Sequence, residues 1–216
     1  NPTGPMNLRG SLDLWRNGLP GDPLQWRWDV TAGLLRNGLQ CGGLALENVC
    51  GEVSLRGSFD GRRVRCLGEL AVDSLGYKDY QLTEAKGPVW IDDERVLFGS
   101  WVDRREGAAV GRTLRPLTAE LFGGKLVADG WAAIGAEPRY AVNVNLLGAD
   151  LARCAREVMD GRQRLRGTID AKADLTGRGW SRNSLAGRGA LRLSNGDGYE
   201  LPVMISLLKI LSIRPP

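Results

Sequence analysis

Apolar and polar residues alternate with period two along most of this chain, the pattern of strands with one buried face. Over residues 6–15, Leu8, Gly10, Leu12 and Leu14 oppose Asn7, Arg9, Ser11 and Asp13. Over 24–30, Leu24, Trp26, Trp28 and Val30 oppose Gln25, Arg27 and Asp29. The pattern returns over 53–59, 64–72 and 81–98, the last with turn-like breaks at Gly87-Pro88 and Asp92-Asp93. It continues over 125–134, 140–147, 168–175 and 188–194. Asn37-Gly38, Asp60-Gly61, Gly123-Gly124 and Asn195-Gly196 supply turn chemistry where hairpin reversals are expected. Two stretches have helical spacing. One is 151–159, with Asp150 as N-cap and Gly161 as stop; the other is the strongly apolar 201–213.

No strand–helix–strand rhythm runs through the chain, which argues against a doubly wound parallel sheet. The expected fold class is mainly β: an antiparallel meander or curled β-sheet with an apolar inner face, plus one or two short helices. One face of such a sheet needs a cover, and few helical residues are on hand to provide it. Either the sheet folds over on itself or it leaves an apolar channel.

Composition narrows the chemistry more than the fold. The 216 residues allow one or two domains. Thirty glycines, about twice the usual share, lie without a collagen-like period and read as turns. Histidine is absent, which removes Ser-His and Cys-His nucleophile pairs and the commonest metal ligand. Four cysteines form no C-x-x-C pair, so no zinc site is expected. Cys41 and Cys50 are near enough in sequence to bridge a short hairpin in an oxidising compartment, or to stay free and semi-buried. The net charge of +4 is small, and arginines sit beside acids, as in Asp103-Arg104-Arg105-Glu106. No basic stripe marks a nucleic-acid partner. The expectation is a non-enzyme with no cofactor and no metal. No signal peptide opens the chain and no apolar run is long enough to cross a bilayer. Both termini read like internal sequence, so a fragment of a longer chain is expected.

Other motifs have structural readings. Gly177-Arg178-Gly179 and Gly187-Arg188-Gly189 lack the strand–loop–helix setting of a dinucleotide site and read as turns or bulges. Asp92-Asp93 reads as a turn rather than a carboxylate pair across a cleft. The seven tryptophans read as sheet-face packing, with sugar or base stacking as the competing use.

The second half carries an ordered series of motifs. It runs from Leu121-Phe122-Gly123-Gly124-Lys125-Leu126 through Tyr140-Ala141-Val142-Asn143-Val144 to Gly148-Ala149-Asp150-Leu151. Leu165-Arg166-Gly167-Thr168-Ile169-Asp170-Ala171 and Leu175-Thr176-Gly177-Arg178-Gly179 follow. Leu185-Ala186-Gly187-Arg188-Gly189-Ala190-Leu191-Arg192-Leu193, Asn195-Gly196-Asp197 and Leu201-Pro202 close it. This series resembles the C-terminal region of the AsmA-like family of bacterial envelope proteins. The resemblance divides the chain into a β-repeat region, 1–120, and an AsmA-like C-terminal region, 121–216. It implies a periplasmic location, with the parent protein anchored in the inner membrane. It implies a long curled sheet with an apolar groove, serving phospholipid transport or outer-membrane maintenance, and no catalytic residues.

The implied partner is a phospholipid or other acyl-chain ligand, with envelope proteins as further partners. Apolar side chains take acyl chains out of water at about 0.8 kcal/mol per buried methylene. The candidate lining is Leu126, Ala128, Ile134, Val142, Val144, Ile169, Ala171, Ala173, Leu175, Leu191 and Leu193. Alternation partitions the residues without saying which face meets lipid. The alternatives are a β-sheet interaction scaffold assisting outer-membrane protein assembly, and a carbohydrate-binding or hydrolysing β-domain using the tryptophans.

Overall fold

The computed structural model describes residues 2–16, 18, 21–41, 44–78, 80–105, 114–158, 165–179 and 184–196. The expected helix 201–213 and the expected helix stop at Gly161 lie outside these residues. Among the described residues the chain forms one twelve-stranded sheet, antiparallel throughout, and two short helices.

Pro2–Thr3 (β1) and Met6–Trp15 (β2) pair in turn with Gln25–Cys41 (β3), forming one edge. Leu44–Phe59 (β4), Val64–Tyr77 (β5) and Tyr80–Asp92 (β6) continue the meander. Arg95–Phe98 (β7) and Leu117–Leu121 (β8) follow, with helix Ser100–Arg105 (α1) between them. Gly124–Ala133 (β9) and Arg139–Asp150 (β10) lead to helix Leu151–Val158 (α2). Thr168–Arg178 (β11) and Ala186–Ser194 (β12) complete the sheet. Strand β9 pairs with both β7 and β8, so the sheet passes residue 120 without a break.

The hairpins have local causes. Asp60 Oδ1 accepts the N–H groups of Arg62 and Arg63 at 2.9 and 2.8 Å. Asp92 Oδ1 accepts those of Glu94 and Arg95 at 3.0 and 2.9 Å. These Asx turns close the β4–β5 and β6–β7 reversals in the same way. Asp93 Oδ1 then accepts the N–H of Val64 at 2.9 Å and ties the two turns together. Phe122 and Gly123 turn β8 into β9 with positive φ at both positions, the hairpin geometry that twisted strands favour.

Two expected turns are not reversals. Asn37-Gly38 lies inside β3, where positive φ at Arg36 produces a bulge and the buried Asn37 carboxamide accepts the N–H of Leu35 at 2.6 Å. Gly87-Pro88 lies inside β6. Pairing of β6 with β8 ends at Lys86, and pairing with β7 spans Val89 to Ile91. Pro88 falls in the gap, where its missing donor costs nothing. There its carbonyl accepts the N–H of Gly99 at 3.0 Å. Thus β7 and β8 share one slot between β6 and β9, interrupted by an excursion that carries α1. The Asp129 carboxylate anchors that excursion, accepting the Ser100 N–H at 2.6 Å.

Candidate functional site

Register sorts the side chains into two faces. Val142 stands opposite Gly130 and Leu175, Val144 opposite Ala128 and Ala173, and Leu146 opposite Leu126 and Ala171. On β12, Leu191 meets Ala171 and Leu193 meets Ile169. In the other direction the same face runs from Ala132 through Val96, Ile91, Cys66, Gly57 and Trp28 to Leu12. Among the described residues, no paired position on this face is charged. The opposite face has an apolar row of Leu67, Trp90, Leu97 and Trp131 and elsewhere carries exposed ion pairs such as Arg9–Glu52 at 2.9 Å and Arg56–Asp29 at 2.6 Å. Such pairs add little stability but keep that face wet.

All the candidate lining residues except Ile134 therefore share one face. Ile134 lies past the end of β9 and is exposed; its N–H donates to the Glu94 carbonyl at 2.7 Å. The others divide by cover. Ile169 belongs to a cluster with Phe122, Leu146, Ala149, Leu151, Cys154 and Ala155, against which Leu126, Ala171, Leu191 and Leu193 pack. This cluster is the apolar face lying under α2. The Asp150 carboxylate caps the helix, accepting the N–H groups of Ala152 at 2.7 Å and Arg153 at 3.2 Å. Backbone bonds from Asp150 to Phe122 and from Leu151 to Gly167 fix where it leaves the sheet. A second cluster, Val49, Val72, Ala85 and Ala119, adjoins the first through Leu126. Ala128 is buried, whereas Val142, Val144, Ala173 and Leu175 are half-buried, on the part of the face away from α2.

Among the described residues nothing covers the opposite end of the face. Leu12, Trp26, Trp28, Phe59 and Val64 line an apolar pocket of about 570 Å³. Trp26 and Phe59 meet edge to face with centroids 5.9 Å apart. Trp28 lies flat across Gly57 of the neighbouring strand, where any Cβ would collide with the indole. Phe98 over Gly130 and Tyr140 over Gly177 repeat the arrangement. A glycine under each ring lets bulky aromatics lie along the face instead of standing off it.

Val64 also borders a second pocket of about 180 Å³ at the strand ends, lined by Arg63, Arg65, Asp92, Asp93, Glu94, Arg95 and Arg105. Burial works against the Asp92 charge. The Glu94 and Arg95 N–H groups and the Arg105 guanidinium outweigh it and hold the carboxyl below its ordinary value. Arg105 reaches Asp92 at 2.8 Å.

Comparison with protein-family models, with curated proteins and with solved structures returns no match to this chain.

Among the described residues no group of His, Cys, Asp and Glu could hold a metal ion. No described helix is long and apolar enough to cross a membrane. Among the described tryptophans, Trp26 and Trp28 stand on the apolar face, while Trp15, Trp90 and Trp131 stand on the other. Cys50 is a free thiol that accepts the Arg36 N–H at 3.3 Å, whereas Cys41 pairs with Leu44 further along the hairpin. That spacing along a strand is beyond disulfide reach. The pocket residues were legible as strand positions but not as a site. Nothing in the alternation says that Leu12, Trp28, Gly57 and Cys66 fall in one transverse row.

Proposed function

We propose that this protein is a non-catalytic segment of an AsmA-like envelope protein, and that its uncharged sheet face takes phospholipid acyl chains out of water. It serves phospholipid transport or outer-membrane maintenance, in the periplasm, with the parent protein anchored in the inner membrane. One observation carries the reading: an apolar face crosses the sheet from β2 to β12, and among the described residues nothing covers it at the end away from α2. A sheet whose apolar face only had to make a core would be covered along its length. Exposed apolar surface of this extent marks an interaction or ligand site. The site requires no reactive group, since desolvation of each methylene supplies the affinity. Ordered motifs from Leu121 to Pro202 supply the family resemblance.

Native mass spectrometry of the purified protein, with lipid extraction of what co-purifies, tests the reading. Stoichiometric phospholipid is expected. It should be lost from the Val142→Asp, Val144→Asp double variant while the β-sheet circular dichroism signal is kept. A stably folded protein that carries no lipid and takes none from vesicles would favour the interaction scaffold instead.

A further inference from the structure

We infer that the strand-end rim at β5 is a binding site for a zwitterionic phospholipid. One acyl chain lies in the pocket of Leu12, Trp26, Trp28, Phe59 and Val64, and the head group turns round the end of β5 onto Arg63 and Arg65. The inference rests on the lipid reading above and adds a place, an orientation and a head-group chemistry to it.

The geometry is that of an amphiphile. A wholly apolar pocket of about 570 Å³ and a charged pocket of about 180 Å³ share one residue, Val64. The larger falls in the range of small-molecule sites. The face under α2 is filled by Leu146, Ala149, Leu151 and Ile169, whereas Val64 puts the strand-end rim beside the larger pocket. A chain lying in that pocket can leave its polar end at the rim.

The charged pocket carries both signs. Asp92 is engaged by Arg105 at 2.8 Å and by two backbone N–H groups. Asp93 uses Oδ1 for the Val64 N–H. Arg63 and Arg65 donate no side-chain hydrogen bond to a described residue, so their guanidinium groups are free to grip a phosphate. Glu94 is tied only to Arg95, at 4.0 Å, and is largely exposed, which leaves it for a head-group ammonium. A purely anionic head group would meet the same arginines but offer no ammonium to Glu94.

The test uses the full chain and three short-chain lipids with identical acyl groups, each below its critical micelle concentration. They are phosphatidylethanolamine, phosphatidylglycerol and diacylglycerol, with affinity read by titration calorimetry. Phosphatidylethanolamine is expected to bind several-fold tighter than the other two. Arg63→Ala with Arg65→Ala should reduce it to the diacylglycerol level and leave diacylglycerol unchanged. Leu12→Asp should weaken all three. These three side chains are exposed, so the variants keep the fold. A preference for phosphatidylglycerol, or unchanged phosphatidylethanolamine binding in the double-arginine variant, overturns the head-group site and leaves the lipid reading standing. Failure of all three lipids to bind overturns both.

Discussion

The two ends of the apolar face are made of the same residue types and have opposite fates. Under α2, Ala149, Leu151 and Ile169 are 0%, 1% and 4% exposed. At the other end Leu12, Leu14 and Trp26 are 55%, 54% and 41% exposed. Alternation writes both ends alike, because it decides only which residues share a face. What separates them is one eight-residue helix, set down where β10 ends and capped by Asp150. The α2 end is core and the far end is surface, so substitutions of equal chemistry should differ in cost.

Leu151→Ala is the sharpest break of that contrast. It removes a fully buried side chain from the α2 cluster and should destabilise the fold by about 2–5 kcal/mol. Leu12→Ala, on the same face but exposed, should stay within about 0.5 kcal/mol. Urea denaturation of both variants measures the difference. Equal costs would mean that the open end is covered in solution.

At the open end the vulnerable position is a glycine. In Gly57→Val the new side chain meets the Trp28 indole on one side and the Arg65 carbonyl on the other. Overpacking of this kind costs about 1–3 kcal/mol. It should also push Trp28 off the face and reduce acyl-chain binding. A variant that kept both its stability and its ligand affinity would remove Trp28 from the pocket argument.

Much of this was legible in the chain. Every long alternating stretch became a strand, and the Asp60 and Asp92 turns fell where turn chemistry put them, because an aspartate accepting two backbone N–H groups is a local device. Asn37-Gly38 and Gly87-Pro88 misled for a physical reason. The same residues that make a reversal also serve a bulge or an unpaired gap inside a long strand, and neighbouring strands decide between the uses. Helix α1 was missed because it spans only Ser100–Arg105 and its anchor, Asp129, is distant in sequence. The candidate lining was grouped correctly on one face apart from Ile134. Its division into covered and open parts depends on where α2 lands, which period-two alternation does not encode.

Alkali should act most at the α2 end, although burial also raises the Cys66 thiol on the open side. Burial first, and then the neighbouring Glu157 charge, raise the Cys154 thiol from 9.0 to about 11. The folded state thus favours the neutral thiol. Its stabilising contribution is whole below the unfolded value of 9.0 and is lost as pH rises toward about 11. Two pH units correspond to a loss of about 3 kcal/mol. Cys154→Ala should flatten the alkaline fall in stability relative to the parent, isolating this thiol from lysine and tyrosine titration. Parallel curves for the two proteins would show that Cys154 is already hydrated.

Acid should loosen the other end, with the smallest effect of the set. The Asp60 carboxyl is held below 3.8 chiefly by the N–H groups of Arg63 and Arg62, and Asp92 is held low in its turn as described. Folding depresses both, so their contribution is present above the unfolded value of 3.8 and lost as pH falls through the lower folded values. Protonation weakens the two Asx turns and the Arg105 contact. Hydrogen exchange below pH 3.8 should therefore quicken at Arg62, Arg63, Glu94 and Arg95 while Cys154 and Ala155, buried inside α2, remain protected. Asp92→Asn should bring part of that loosening to neutral pH, because an uncharged amide still accepts the turn N–H groups but no longer draws in Arg105. Faster exchange at α2 before the turns would reverse the order of the two ends and place the weak point of the fold under the helix.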